Sequence, residues 1–169
     1  MKVNTRVRYG LRAVVQIARN YGGDPVPISA IAESQEISSK YLEQVVGTLR
    51  KAELIHSHKG VRGGYTLARP PAEIDLWEII SALDAHTALV DCVADPDVCD
   101  RSDSCLTRTI WSLLSLKMRD FWSSFTLQDL VEIVARGDGD PLQALAGQRP
   151  SFAPRENGPA SGPPEQADR

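Results

Sequence analysis

The sequence predicts a mainly α-helical fold with one small β-hairpin and a long helix toward its C-terminal end. Three observations predict it. Apolar residues recur at three- and four-residue spacing along most of residues 3–135, which marks one-sided helices. The stretch LIHSHKGVRGGYTL reads as two short strands about a glycine turn. After a loop that holds all three cysteines, LTRTIWSLLSLKMRDFWSSF is long and amphipathic. The 169 residues, 42% of them hydrophobic, suffice for one domain with a real core and appendages. No apolar run approaches a membrane span, and MKVNTRVRYGLRAVV lacks a signal-peptide core. A cytoplasmic protein with no membrane partner is expected.

The elements follow in order. Val7, Leu11, Val14, Val15 and Ala18 make the apolar face of a helix over 3–20, and GGDP at 22–25 breaks it. Ile28, Ile31 and Ala32 mark a short second helix. Glu36-Ile37 is a tight turn, and Ser38 is an N-cap for a third helix. That helix bears Tyr41, Leu42, Val45, Val46 and Leu49 and ends near Glu53. Two short helices about a brief turn, with apolar Ile37 inside it, match a helix-turn-helix. Leu54-Ile55 and Tyr65-Thr66-Leu67 are the two strands; Gly60, Gly63 and Gly64 permit the turn, with Lys59 and Arg62 at its tip. A basic hairpin directly after a helix-turn-helix is a wing, so the fold class is a mainly α winged helix-turn-helix.

Pro70-Pro71 closes this half. In DLWEIISALDAH, Asp75 and Glu78 have capping-box spacing. In the long helix, Ile110, Leu113, Leu114, Met118, Phe121 and Phe125 form a stripe that Trp111 and Trp122 widen. Such a stripe is too apolar to stand alone, so this helix is expected to pack against its copy in a homodimer. Thr126 and Asp129 cap a last helix, LQDLVEIVA, that stops at Arg136-Gly137. Residues 137–169 hold five Gly and six Pro with almost no periodic pattern, the composition of a disordered tail.

The net charge of −3 conceals an asymmetry: residues 1–70 hold eleven Lys+Arg against five Asp+Glu, and residues 71–169 hold eight against seventeen. A basic first half suggests a polyanion partner for that half alone. Joined to a winged helix-turn-helix, it suggests double-stranded DNA. Ser39, Lys40, Tyr41, Glu43 and Gln44 lie in the first turns of the third helix, where such a module meets bases and phosphates. The other place for Tyr41 is the core. Arg50 and Lys51 are expected to hold phosphates, and Lys59 and Arg62 to reach the adjacent minor groove or its phosphates. No GxxxxGKS/T, HExxH or GxSxG motif and no acid–base pair is present, so the chain does not read as an enzyme.

The stretch DCVADPDVCDRSDSC at 91–105 sets Cys92, Cys99 and Cys105 among five aspartates. Carboxylates oppose ionisation of a thiol, so this is a poor setting for a free nucleophile. An odd number of thiols in a reducing compartment disfavours a disulfide framework. A bound metal would supply the positive charge that the aspartates withhold, and coordination deprotonates thiols. Zinc wants four ligands with close CxxC pairs, and an EF-hand loop wants a Gly and a final Glu; neither pattern is here. Three structural thiols without metal stay open. Of the histidines, His56 and His58 fall on the wing strand, and His86 precedes the loop.

VRYGLRAV, ISSKYLEQVVGTLRKAELI, the wing KGVRGGY, IDLWEII, the cysteine loop, CLTRTIW and FTLQDLVE together resemble the IscR/NsrR-type (Rrf-two family) transcription regulators over residues 1 to about 135. The resemblance implies a homodimeric DNA-binding regulator. It implies Cys92, Cys99 and Cys105 as ligands of an iron–sulfur cluster, 2Fe-2S ahead of 4Fe-4S, through which redox, nitric oxide or iron–sulfur status sets DNA affinity. The chain departs from the pattern in its C-x6-C-x5-C spacing, one residue longer in the first gap. Arg108 stands where one branch has a histidine, and Arg8 where another has an acidic residue supplied by the partner subunit. The fourth ligand is open among His86, a loop aspartate and a small molecule. The expected division is a DNA-binding domain over 1–70, the cysteine loop and dimerisation helices over 71–135, and a disordered tail over 136–169. The alternative function is a cluster-free regulator controlled by a protein or small-molecule partner.

Overall fold

A computed structural model describes residues 3–84 and 87–136. Helix α1 (Thr5–Ala18) starts at Asn4, whose side chain accepts from the Val7 N–H at 2.8 Å. The cap satisfies one of the orphan donors of the first turn. The helix buries Val7, Ala13, Val14, Ile17 and Ala18. Helix α2 (Ile28–Gln35) ends at Glu36, which takes the left-handed conformation at φ 55° and ψ 41°. That reversal drops Ile37 into the core, its N–H bonded to the Ala32 carbonyl. Helix α3 (Ser39–Lys51) follows at once, with the Ser38 hydroxyl accepting from the Tyr41 N–H. It buries Leu42, Val45, Val46 and Leu49 against α1 and α2.

Strands β1 (Ile55–His58) and β2 (Gly64–Leu67) pair antiparallel, with Ile55 opposite Leu67 and His58 opposite Gly64. Gly60 in the connecting loop has φ 112°, a conformation that favours glycine. Val26 bridges to Tyr65 through two 2.9 Å backbone hydrogen bonds and so pins the hairpin to the segment before α2. This close approach is why residue 64 is glycine: a Cβ there would lie 2.5 Å from the Val26 backbone.

Helix α4 (Leu76–Leu83) begins at Asp75, whose carboxylate accepts from the Glu78 N–H at 2.9 Å. The reciprocal half of the expected capping box is absent. The Glu78 carboxylate turns to Arg69 at the end of the hairpin, forming an ion pair. A long-range partner of opposite charge has displaced a local backbone N–H. Helices α5 (Asp91–Ala94) and α6 (Leu106–Ser123) flank the cysteine loop. Helix α7 (Leu127–Arg136) returns to α1, started by a reciprocal cap in which Asp129 accepts from Thr126 and Thr126 from the Asp129 N–H.

One core holds these elements together. Ile74, Leu76, Ile79, Leu83, Phe125 and Leu127 belong to the same buried cluster as Val14, Ile31, Leu42 and Leu49. The boundary expected at residue 70 therefore separates elements that share a core. Helix α6 lies at its edge: none of its residues is fully buried, and of the expected stripe Trp122 packs against the chain's own core. The expected stripe also shifts. Phe125 lies past the helix in the core, 7% exposed, because the 74–76 and 125–127 segments hydrogen-bond to each other. Met118 is half-buried, while Leu106 and Leu116 join the exposed apolar residues. Among the described residues no helix is long and apolar enough to cross a membrane. The expected tail at 137–169 lies outside the described residues.

Candidate nucleic-acid interface and cysteine loop

Burying Leu42, Val45, Val46 and Leu49 leaves the opposite face of α3 to solvent. Ser39, Lys40, Glu43, Gln44, Arg50 and Lys51 are all exposed. Lys40, Glu43, Gln44 and Lys51 share one face by their three- and four-residue spacing. Tyr41 is half-buried and packs edge-on against Tyr9, ring centroids 5.9 Å apart, with Arg8 and Arg12 near that same ring. Lys59 and Arg62 are exposed at the hairpin tip, and Val61 between them is fully exposed. An open groove at the foot of the hairpin is lined by Arg50, Glu53, His56 and Arg69 among others. The residues expected to meet DNA thus fall on α3 and on the hairpin that follows it. Arg6 on α1 reaches Thr48 on α3 and ties the two helices beside this face.

The three cysteines occupy different local structures. Cys92 lies in α5, Cys99 follows a single 3-10 turn at 96–98, and Cys105 precedes the first residue of α6. All three are free; Cys99 is exposed and the other two are half-buried. Cys105 accepts from or donates to the Thr107 hydroxyl at 3.2 Å. That bond, then the Arg108 N–H, lowers the pKa of the thiol from its ordinary value. Among the described residues no three of His, Cys, Asp and Glu are gathered as metal ligands. The donors suit an iron–sulfur cluster by chemistry, three free and accessible thiols on one loop, and the loop here does not bring them together. His86 lies outside the described residues. Arg8 is exposed on α1.

Two residues that the sequence did not single out as functional organise this loop. Ser102, 7% exposed, shares its hydroxyl between the carbonyls of Pro96 at 2.6 Å and Cys99 at 2.8 Å. Arg108, noted in the sequence only as the wrong residue for a ligand, donates to the carbonyls of Cys92 and Ser102. Helix α4 connects the two regions, since it touches α1, α3 and α6. The side chain of Asn4 before α1 also bonds Asp84 at its end.

The chain matches the family described as Rrf2: Iron-dependent Transcriptional regulator over residues 3–133. It is 42% identical over 131 residues to the Rrf2 protein of Nitratidesulfovibrio vulgaris, an alignment covering 78% of this chain and 87% of that one. It is 35% identical over 156 residues to IscR of Sodalis glossinidius, covering 89% and 94%. Among solved structures it is similar to IscR of T. potens, with 31% identity, 83% and 93% of the two chains covered and a TM-score of 0.67. It is also similar to CymR, the global cysteine regulator of B. subtilis, with 31% identity, 78% and 97% covered and a TM-score of 0.65. These relatives are transcription regulators and not enzymes, and they carry the winged-helix architecture seen here. The chain belongs to the Rrf2 family of transcriptional regulators.

Proposed function

We propose that this Rrf2-family protein is a cytoplasmic, homodimeric regulator whose affinity for DNA is set by an iron–sulfur cluster on Cys92, Cys99 and Cys105. The observation that carries the reading is the placement of the chain's only three cysteines. All are free and lie on one loop between α4, which touches the α3 helix, and α6. When bound, the cluster supplies a rigid, redox-responsive fixed point. The chain's part is to bring three thiolates to it and to pass the change in loop shape to α4. Residues 1–70 make the DNA contacts: Ser39, Lys40, Tyr41, Glu43 and Gln44 toward bases and phosphates, Arg50 and Lys51 toward phosphates, and Lys59 and Arg62 toward the adjacent minor groove or its phosphates. Residues 71–135 sense and assemble. The exposed stripe of α6, with Leu106 at 86% and Ile110 at 60% exposure, is the proposed contact with a second copy.

Anaerobic reconstitution with iron and sulfide tests this. A visible charge-transfer spectrum is expected from the wild type and is lost in Cys92→Ala, Cys99→Ala and Cys105→Ala, each still helical. Loaded and chelated protein should differ in operator affinity by roughly 5–150-fold, the usual range of such coupling. A wild type that takes up no iron overturns the cluster. The second reading, a cluster-free regulator controlled by a protein or small molecule, would then stand. It is favoured by the ungathered cysteines and by the likeness to CymR.

A further inference from the structure

We infer that Arg108 is a positioning residue for the cysteine loop: its guanidinium ties the backbone at Cys92 to that at Ser102, and through Ser102 to Cys99. This rests on the cluster reading for its purpose, though not for its geometry. Arg108 sits three residues past Cys105 in the first turn of α6, and its own N–H donates to the Cys105 carbonyl at 3.1 Å. Its Nε donates to the Cys92 carbonyl at 2.9 Å, and its Nη1 to the Ser102 carbonyl at 3.3 Å. One rigid fork thus joins two carbonyls ten residues apart, which a guanidinium can do and an ammonium cannot do equally. Ser102 extends the brace. Its hydroxyl and its N–H both reach the Cys99 carbonyl, at 2.8 and 3.0 Å. The carbonyls of Cys92 and Cys105 are therefore bonded to Arg108 itself, and that of Cys99 through Ser102.

The choice of acceptors separates this from charge balancing. Asp91, Asp95, Asp97, Asp100 and Asp103 stand in the same loop. Among the described residues Arg108 forms no ion pair with any of them. A guanidinium placed to neutralise the loop would sit on a carboxylate. This one is aimed at carbonyls, and the bonds it makes order the main chain.

Amide hydrogen exchange of the full chain after chelation tests the brace. In Arg108→Ala the amides of Asp95, Cys99, Ser102 and Ser104, all hydrogen-bonded within the loop, should exchange at least about tenfold faster, since two charge-assisted hydrogen bonds are lost and even one is worth about that factor. Amides of α1 and α3 should keep wild-type rates. Arg108→Lys, with one nitrogen for two carbonyls, should fall between, and Ser102→Ala should accelerate Cys99 and Ser102. Loop exchange at the wild-type rate in Arg108→Ala overturns the proposal. In reconstituted protein, Arg108→Ala should surrender iron to a chelator faster than wild type. Faster exchange with an unchanged iron-loss rate refutes a role for the brace in presenting the ligands. A wild type that takes up no iron sinks the cluster reading alone, and the exchange rates still decide the brace.

Discussion

Gly10→Ala should destabilise the wild-type protein and stabilise the Leu83→Ala variant. Gly10 lies mid-helix in α1, facing α4. A Cβ there would stand 2.4 and 2.8 Å from the two Leu83 methyls and 3.2 Å from Leu83 Cγ. Carbon atoms prefer about 3.5–4.0 Å, so something must yield by roughly 1 Å. Leu83 is only 2% exposed, so any swing away moves it against other buried side chains. The helices must then part, or Leu83 must leave its rotamer; overpacking of this kind costs about 1–3 kcal/mol. Against it stands the helix preference of Ala over Gly, about 0.8–1 kcal/mol. The expected net is a loss of up to about 2 kcal/mol. Leu83→Ala alone should cost about 2–5 kcal/mol by leaving a cavity. In that background the clash is gone and the propensity term remains, so Gly10→Ala should gain about 0.5–1 kcal/mol. Urea unfolding of the four proteins, with unchanged m-values, reads the cycle. The same sign for Gly10→Ala in both backgrounds would refute the reasoning, and with it the claim that α1 and α4 meet at this point.

Gln44→Ala should lose about 1–3 kcal/mol on the specific operator and little on random DNA, measured by fluorescence anisotropy at fixed salt. Lys59→Ala should weaken binding to every sequence and lower the slope of log affinity against log salt by about one unit; equal slopes would remove the hairpin tip from the interface. Ile110→Asp with Leu114→Asp should yield a monomer in sedimentation at micromolar concentration while keeping the wild-type circular dichroism, since neither side chain belongs to the core. Asp129→Ala should cost about 1 kcal/mol in thermal stability through loss of the α7 cap, with Asn at that position recovering part of it.

Much of the fold is local, and local rules were legible. Ser38, Asp75, Thr126 and Asp129 cap helices through partners three residues away, and the spacing of a cap is printed in the sequence. The buried face of α3 follows from periodicity alone, and so does the solvent face that carries Lys40, Glu43 and Gln44. Other features needed the third dimension. Glu78 has cap spacing, yet its carboxylate went to Arg69 just past the end of the hairpin. Phe125 continued the apolar stripe in sequence, yet the pairing of 74–76 with 125–127 drew it into the core. Glycine at position 10 has no meaning until Leu83 is set against it. The division at residue 70 follows a change in composition, whereas the core is drawn together by contact across it. Arg108 is the clearest case. Its acceptors are the carbonyls of Cys92 and Ser102, and every residue carries a carbonyl. No side chain marks which one a guanidinium will find; only the path of the folded backbone, bringing residues 92 and 102 beside the first turn of α6, decides it.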